Sequence, residues 1–211
     1  MCKDWVAYTD AWLRTVGPSL DLSKAAGDTD PYLITATLQA TATGGGCPKV
    51  WHLSTRGCTG ITSGALAAVA RGCPALTHLD LAHSDVNDEG LIAFLHAGGV
   101  ARLQELDITG CNHLSSASIT AAASACVKLT TLIATQCIAV DSAALSNIVA
   151  AAHHLVEVRV DLAAISRDEM ARVAAVGQGK HVVDVCSFDG DDIAASMCCL
   201  VLADEEGGAC M

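Results

Sequence analysis

Every 26 or 27 residues this chain returns to the same apolar spacing, and that period limits the folds open to it more than any other feature. The copies start at Val50, Leu76, Leu103, Leu129, Leu155 and Val182. A second apolar residue follows three positions later, at Leu53, Leu79, Leu106, Leu132, Val158 and Val185. Two positions further on come Thr55, Leu81, Ile108, Ala134, Val160 and Ser187, so the L-x-x-L-x-L core is sharp in the middle and decays at both ends. One such unit is too short to bury its own apolar face, so the copies must stack and share a continuous core.

The copy from Leu76 to Arg102 shows how a unit is built. Alternation about Leu79 and Leu81 predicts a short strand, Asn87 and Asp88 offer a helix cap, and Leu91, Ile92 and Leu95 recur at helical spacing until Gly98 and Gly99. Ser115 and Asp141 take the capping place in later copies, and Ser166 with Glu169 fits a capping box before Met170 and Val173. Strand, turn, capped helix and return is the pattern of a leucine-rich repeat. The expected fold is α/β, a curved leucine-rich repeat solenoid with parallel strands on the concave side and short helices on the convex side.

Four regions follow. Residues 1–23 hold the first strand, around Ser19-Leu20-Asp21-Leu22-Ser23, and an N-terminal cap. Residues 24–190 are the repeats; the 33-residue step from Leu20 to Leu53 implies an insertion at Gly27 to Asp30, before a helix starting at Pro31. Residues 191–203 read as a C-terminal capping helix with Ile193, Met197, Leu200 and Val201 on one face, and 204–211 as an acidic, flexible tail.

A formal charge of −11, with only 12 scattered Lys and Arg, argues against nucleic acid as a partner. No apolar run reaches the roughly 18 residues of a membrane span, and Met-Cys-Lys-Asp-Trp has no secretory core, so the expectation is an intracellular, cytoplasmic protein. Eleven cysteines, an odd number, then read as reduced thiols. Cys58, Cys111 and Cys137 lie eight residues after their repeat starts, and Cys47, Cys73 and Cys126 three before, which makes all six small core residues. No two cysteines have C-x-x-C spacing, so no zinc site is expected. Gly44-Gly45-Gly46-Cys47-Pro48-Lys49 has the composition of a phosphate loop without its spacing, and no hydrolase or metalloprotease motif occurs, so neither enzymatic activity nor a cofactor is expected.

The stretch GCTGITSGALAAVARGCPALTHLDLAHSDVNDEGL resembles the cysteine-containing repeats of F-box/LRR proteins, a resemblance covering roughly residues 47 to 190. Cys2-Lys3-Asp4-Trp5, then Trp12, then the Leu-Asp-Leu of residues 20–22, resembles the last helix of an F-box running into a first strand. Residues 1–211 show no counterpart of the earlier F-box helices that dock the Skp adaptor. The resemblance therefore implies a non-enzymatic scaffold for protein partners, a subunit of a hetero-oligomeric assembly such as an axonemal regulatory complex of cilia. Its alternative is the substrate-recognition subunit of an SCF-type ubiquitin ligase. Trp5 and Trp12 would contact the Skp adaptor or cap the first strand.

Residues at alternate strand positions point away from the core and form the candidate binding face. Two after each start come His52, His78, Glu105, Thr131, Glu157 and Asp184; four after come Ser54, Asp80, Asp107, Ile133, Arg159 and Cys186; a third column holds Arg56, Ala82, Thr109, Thr135, Asp161 and Phe188. Asp80, Glu105 and Asp107 should be neighbours, with Arg159 pairing with Glu157 or Asp161. A basic protein surface is the natural complement. His52 and His78 on adjacent strands could share a metal with Asp80 but lack a third clear ligand, so no metal is expected.

Overall fold

Strand follows strand across a single sheet in the order of the chain. In the computed structural model, which describes residues 17–23, 31–43, 46–99, 102–152, 154–161, 182–186 and 197–201, the sheet has eight strands in consecutive order. They are β1 (Ser19–Asp21), β2 (His52–Ser54), β3 (His78–Asp80), β4 (Glu105–Asp107), β5 (Thr131–Ile133), β6 (Glu157–Asp161), β7 (Val182–Cys186) and β8 (Met197–Val201). β1 to β7 are parallel, and β8 runs antiparallel to β7. Helices α1 (Pro31–Thr43), α2 (Ser63–Gly72), α3 (Asp88–His96), α4 (Ser116–Ala125) and α5 (Ser142–Ala151) return the chain between successive strands from β1 to β6. This is the leucine-rich repeat solenoid that the period predicts.

Register follows from the second apolar column. Leu20 stands opposite Leu53, Leu53 opposite Leu79, and so on through Leu106, Leu132 and Val158, with Leu53, Leu79, Leu106, Leu132 and Val158 essentially inaccessible to water. Thr55, which stands in place of leucine in the third column, remains buried: it is 0% exposed, its hydroxyl 3.4 Å from the Asp80 carbonyl. Past the three-residue strands the ladder continues, Leu81 N–H donating to Asp107 O and Ile108 N–H to Ile133 O, each at 2.8 Å.

Side-chain caps start the helices where the sequence places them. Asn87 accepts from Gly90 N–H, Ser115 from Ser118 N–H and Asp141 from Ala144 N–H, and Thr62 does the same for α2. Asp88 adds a bond between copies, accepting from Ser115 N–H at 2.7 Å and Ser118 Oγ at 2.5 Å, which ties the start of α3 to that of α4. Partial burial works to push its carboxyl up, but the hydrogen bonds from Ser118 and Ser115 outweigh that and hold it below the usual carboxylate range. A depressed folded-state value means that its stabilisation is complete above the unfolded value, about 3.9, and is lost as pH falls through the lower folded one. Asp88→Ala should cost about 2 kcal/mol at neutral pH, as expected for hydrogen bonds to a charged group. Urea unfolding from pH 6 to pH 3 checks this: the gap between parent and variant should narrow progressively as pH falls below about 4.

The six repeat cysteines are thiols, none of them in a disulfide, and all are buried. Cys58, Cys111 and Cys137 donate to the carbonyls of Leu22, Leu81 and Ile108 in the preceding copy, at 3.6, 3.1 and 3.0 Å. Ser84 occupies the same place in the intervening copy, its hydroxyl 2.6 Å from Leu81 O and 3.8 Å from Cys111 Sγ. Burial pushes Cys58 and Cys137 up to about 11 and Cys126 up to about 12, and raises Cys111 despite its contact with Ser84. Since the thiolate is the nucleophile, these are structural groups. Cys47 and Cys73, on adjacent copies, hydrogen-bond each other, which lowers the first and raises the second.

Two expectations at the C-terminal end are corrected. β7 pairs two residues out of the predicted register: Val183 and Val185 stand opposite Val158 and Val160, and Asp184 opposite Arg159 rather than in the Glu157 column. A slip of two keeps every side chain on its own face, so alternation could not distinguish the two registers. The observed one pairs Val183 and Val185, instead of Val185 and Ser187, with Val158 and Val160. The capping helix expected over 191–203 is replaced over Met197–Val201 by strand β8. A short, continuous apolar run reads equally as strand or helix, and here β7 offers an edge of backbone donors and acceptors that a strand can satisfy. The capping box at Ser166 and Glu169, the insertion at Gly27 to Asp30 and the acidic tail lie outside the described residues.

Candidate functional site

The face of the sheet turned away from the helices carries the candidate residues in straight rows, because each strand is in register with the next. His52, His78, Glu105, Thr131 and Glu157 form one row of partly exposed side chains; Ser54, Asp80, Asp107, Ile133 and Arg159 form the next, in which Ser54 is buried. Parallel neighbours stand about 4.8 Å apart, so each side chain meets its counterparts in the flanking copies.

Asp80 and Asp107 are direct cross-strand partners, an unfavourable pairing of like charges taken alone. Arg56 resolves it, with Nη1 3.9 Å from Asp80 Oδ2 and 3.6 Å from Asp107 Oδ2. Each aspartate also closes its own strand: Asp80 Oδ1 accepts from Ala82 N–H and Asp107 Oδ1 from Thr109 N–H, both at 2.9 Å, while Ser54 Oγ donates to Asp80 Oδ2 at 2.9 Å. These two carboxylates thus have structural work besides any binding. Arg159 lies 2.7 Å from Glu157, while Asp161 accepts from the Gln136 N–H. Of the third column, Ala82 and Thr109 are buried and Arg56 is exposed.

At the β2–β3 end the face changes character. Trp51, 43% exposed, sets its ring edge-on to His78 with centroids 5.0 Å apart, and His52 lies 5.8 Å from the same indole. The two imidazoles are 6.4 Å apart, and among the described residues no three His, Cys, Asp or Glu side chains converge as a metal site. His78 Nε2 is 3.7 Å from Glu105 Oε2. The sequence reading missed Trp51 and the bridging role of Arg56. A signal existed for the first: Trp51 occupies the position just before the strand, where the next three copies have Thr77, Gln104 and Thr130. Trp5, Trp12 and Phe188 lie outside the described residues, and Asp184 is placed by its backbone register alone. No helix among the described residues is long and apolar enough to cross a membrane.

A family model of the leucine-rich repeat matches residues 72–95, from the end of α2 through most of α3. F-box/LRR-repeat protein 5 of Danio rerio is 38% identical over 47 residues, which is 22% of this chain and 7% of that protein. Among solved structures, the leucine-rich repeat-containing protein LegL7 from Legionella pneumophila superposes with a TM-score of 0.52 at 14% identity, over 88% of this chain and 71% of that one. The Rad7 and Elc1 complex of yeast gives a TM-score of 0.45 at 14% identity, over 75% of this chain and 44% of that one. These findings support repeats of the cysteine-containing F-box/LRR kind and do not extend the likeness to an F-box segment.

Proposed function

We propose that this array of cysteine-containing leucine-rich repeats is a non-enzymatic scaffold that holds protein partners on its strand face, as a subunit of a larger assembly. The observation that carries the reading is the pair of in-register rows. A partner meets polar side chains held at fixed spacing by a backbone ladder, over a surface that widens with each copy. The carboxylates of Asp80, Glu105, Asp107 and Glu157 outnumber the two arginines among them, so a basic protein surface is the complement. A second reading, the substrate-recognition subunit of an SCF-type ubiquitin ligase, is favoured by the likeness to F-box/LRR-repeat protein 5.

Native purification with mass spectrometry tests both. Stoichiometric protein partners, axonemal or otherwise, are expected with the parent chain, and at least a tenfold loss of them with Glu105→Lys combined with Glu157→Lys. These two were chosen because neither closes a strand as Asp80 and Asp107 do. Recovery of a Skp adaptor with a cullin would move the conclusion to the ligase reading. Partner recovery unchanged by the double variant would rule out the strand face.

A further inference from the structure

Charge is segregated between the two edges of the sheet. Strands β1 to β6 run parallel, so every helix-to-strand connection among them lies on one edge and every strand-to-helix connection on the other. Among the described residues, each Asp or Glu stands on a strand, in a strand-to-helix connection or in the first turn of a helix. The cations divide differently. Arg56 and Arg159 are held by carboxylates of the strand face. The other Lys and Arg of the described residues, Lys49, Arg71, Arg102 and Lys128, all fall between the last turn of a helix and the next strand, and all four are exposed. None of them enters an ion pair among the described residues. Residues 46–51, 71–77, 96–104, 126–130 and 151–156, which make this edge, contain no Asp or Glu. Cations complement a helix C-terminus, which accounts for Arg71 in the last turn of α2. Lys49, Arg102 and Lys128 lie beyond the helices, each immediately before its repeat start.

The edge is built to one pattern. Val50, Leu76, Leu129 and Leu155 N–H each donate to the carbonyl three residues before, at 3.1, 3.1, 2.9 and 3.1 Å, so these turns share one shape and the residues before the repeat starts form a row. Beside it Trp51, Thr77, Gln104, Thr130 and Val156 form a second row, each N–H donating to the carbonyl of the copy before at 2.8 Å. Three of the exposed large apolar side chains lie here: Trp51 at 43%, Val127 at 57% and Val156 at 52%. With copies about 4.8 Å apart, Lys49 and Lys128 are about 14 Å from each other and Trp51 and Val156 about 19 Å. Unpaired cations and exposed apolar groups thus alternate along one narrow rim.

We infer that this helix-to-strand edge docks an extended acidic segment of a protein partner, one that carries apolar side chains among its carboxylates. An extended chain advances about 3.3 Å per residue, so about six residues reach from Trp51 to Val156. Carboxylates then lie along Lys49, Arg102 and Lys128, while apolar neighbours cover Val127 and Val156. A nucleic-acid duplex or a bilayer is too broad for the place. The cations form a single row, and Glu105 and Glu157 stand on the strands directly beside it, where they repel a wide polyanion. A narrow segment stays on the rim. The surface is opposite in sign to the strand face, so one chain can hold two partners of opposite charge.

Calorimetric titration of the full chain, at about 0.15 M salt so that distant charges are screened, tests this with a peptide of Glu-Glu-Val repeats and its Gln-Gln-Val counterpart. The acidic peptide should bind about tenfold more tightly than the neutral one. Arg102→Gln combined with Lys128→Gln should weaken it about tenfold, and Val127→Ser combined with Val156→Ser about threefold. Ala121→Glu combined with Asn147→Glu makes the same change in net charge at exposed positions of α4 and α5, and should leave binding unchanged. All six positions are exposed, so the variants keep the core intact. Equal weakening by the two charge variants would mean overall charge alone and overturn the inference, as would indifference to the valine variant. Failure of the acidic peptide to bind the parent chain would overturn it too. Tighter binding of a DNA duplex or of phosphatidylserine vesicles, lost with Arg102→Gln and Lys128→Gln, would assign the edge to phosphate groups instead of a protein segment.

Discussion

Phe94→Ala is expected to remove about 4 kcal/mol of stability, the usual cost of emptying a fully buried aromatic site. Phe94 is among the largest side chains with no exposure to water, and it sits on α3 near the middle of the array. Gly99 packs so closely against its ring that a Cβ there would collide with it, so the backbone returning toward β4 is shaped around the phenyl group. In an array each copy is stabilised mainly by its neighbours, so a defect at a central copy weakens the link between the two sides as well as the copy itself. Urea unfolding followed by circular dichroism should show a lower and broader transition. Hydrogen exchange should show earlier opening of α3 and α4 than of α2. Ile92→Ala, on the same helix but 40% exposed, should cost less than about 1 kcal/mol. A parent-like transition for Phe94→Ala would mean that the α3 packing is not what joins the copies.

Gly46→Ala should be the next most damaging change, at about 3 kcal/mol from two sources. Gly46 has φ +77°, where a side chain costs about 1–2 kcal/mol. A Cβ there would also lie 2.6 Å from the carbonyl oxygen of Gly72, the same atom that accepts the Cys47 N–H at 2.6 Å. Backbone on both sides leaves nothing flexible to give way. Gly98 separates the two causes: it has φ +102° but open space around the Cβ position. Gly98→Ala should therefore show the conformational cost alone, about 1 kcal/mol, in parallel thermal melts. Equal losses from the two variants would show that contact with Gly72 contributes nothing.

The parts of this fold that were legible in sequence are those that recur. Leu53, Leu79, Leu106 and Leu132 are apolar at one spacing, and a spacing is visible without coordinates. The caps at Asn87, Ser115 and Asp141 could be found because capping needs a particular residue type just before a helical pattern. What failed was whatever depends on one copy only. Val182-Val183-Asp184-Val185 alternates with period two, so a shift by two residues satisfies the same pattern, and only the pairing with β6 decides between them. Arg56 is the lone basic residue of its column; its position between two facing aspartates belongs to the sheet. The same holds for the carboxylates themselves. Sequence places Asp80 and Asp107 on an acidic face, but their bonds to Ala82 and Thr109 N–H arise from the turn that follows each strand.

A parallel stack has a head and a tail that match, so in principle any number of further copies, or of whole molecules, can join end to end. β8 breaks that symmetry. Because it runs against β7, a strand that joined β8 in the direction of the repeats would pair with it antiparallel, with alternately narrow and wide hydrogen-bond spacing in place of the even, slanted ladder that joins β1 to β7. Reversal of one five-residue strand thus ends the uniform parallel ladder among the described residues, so the geometry that carries one copy into the next does not pass through β8 unchanged.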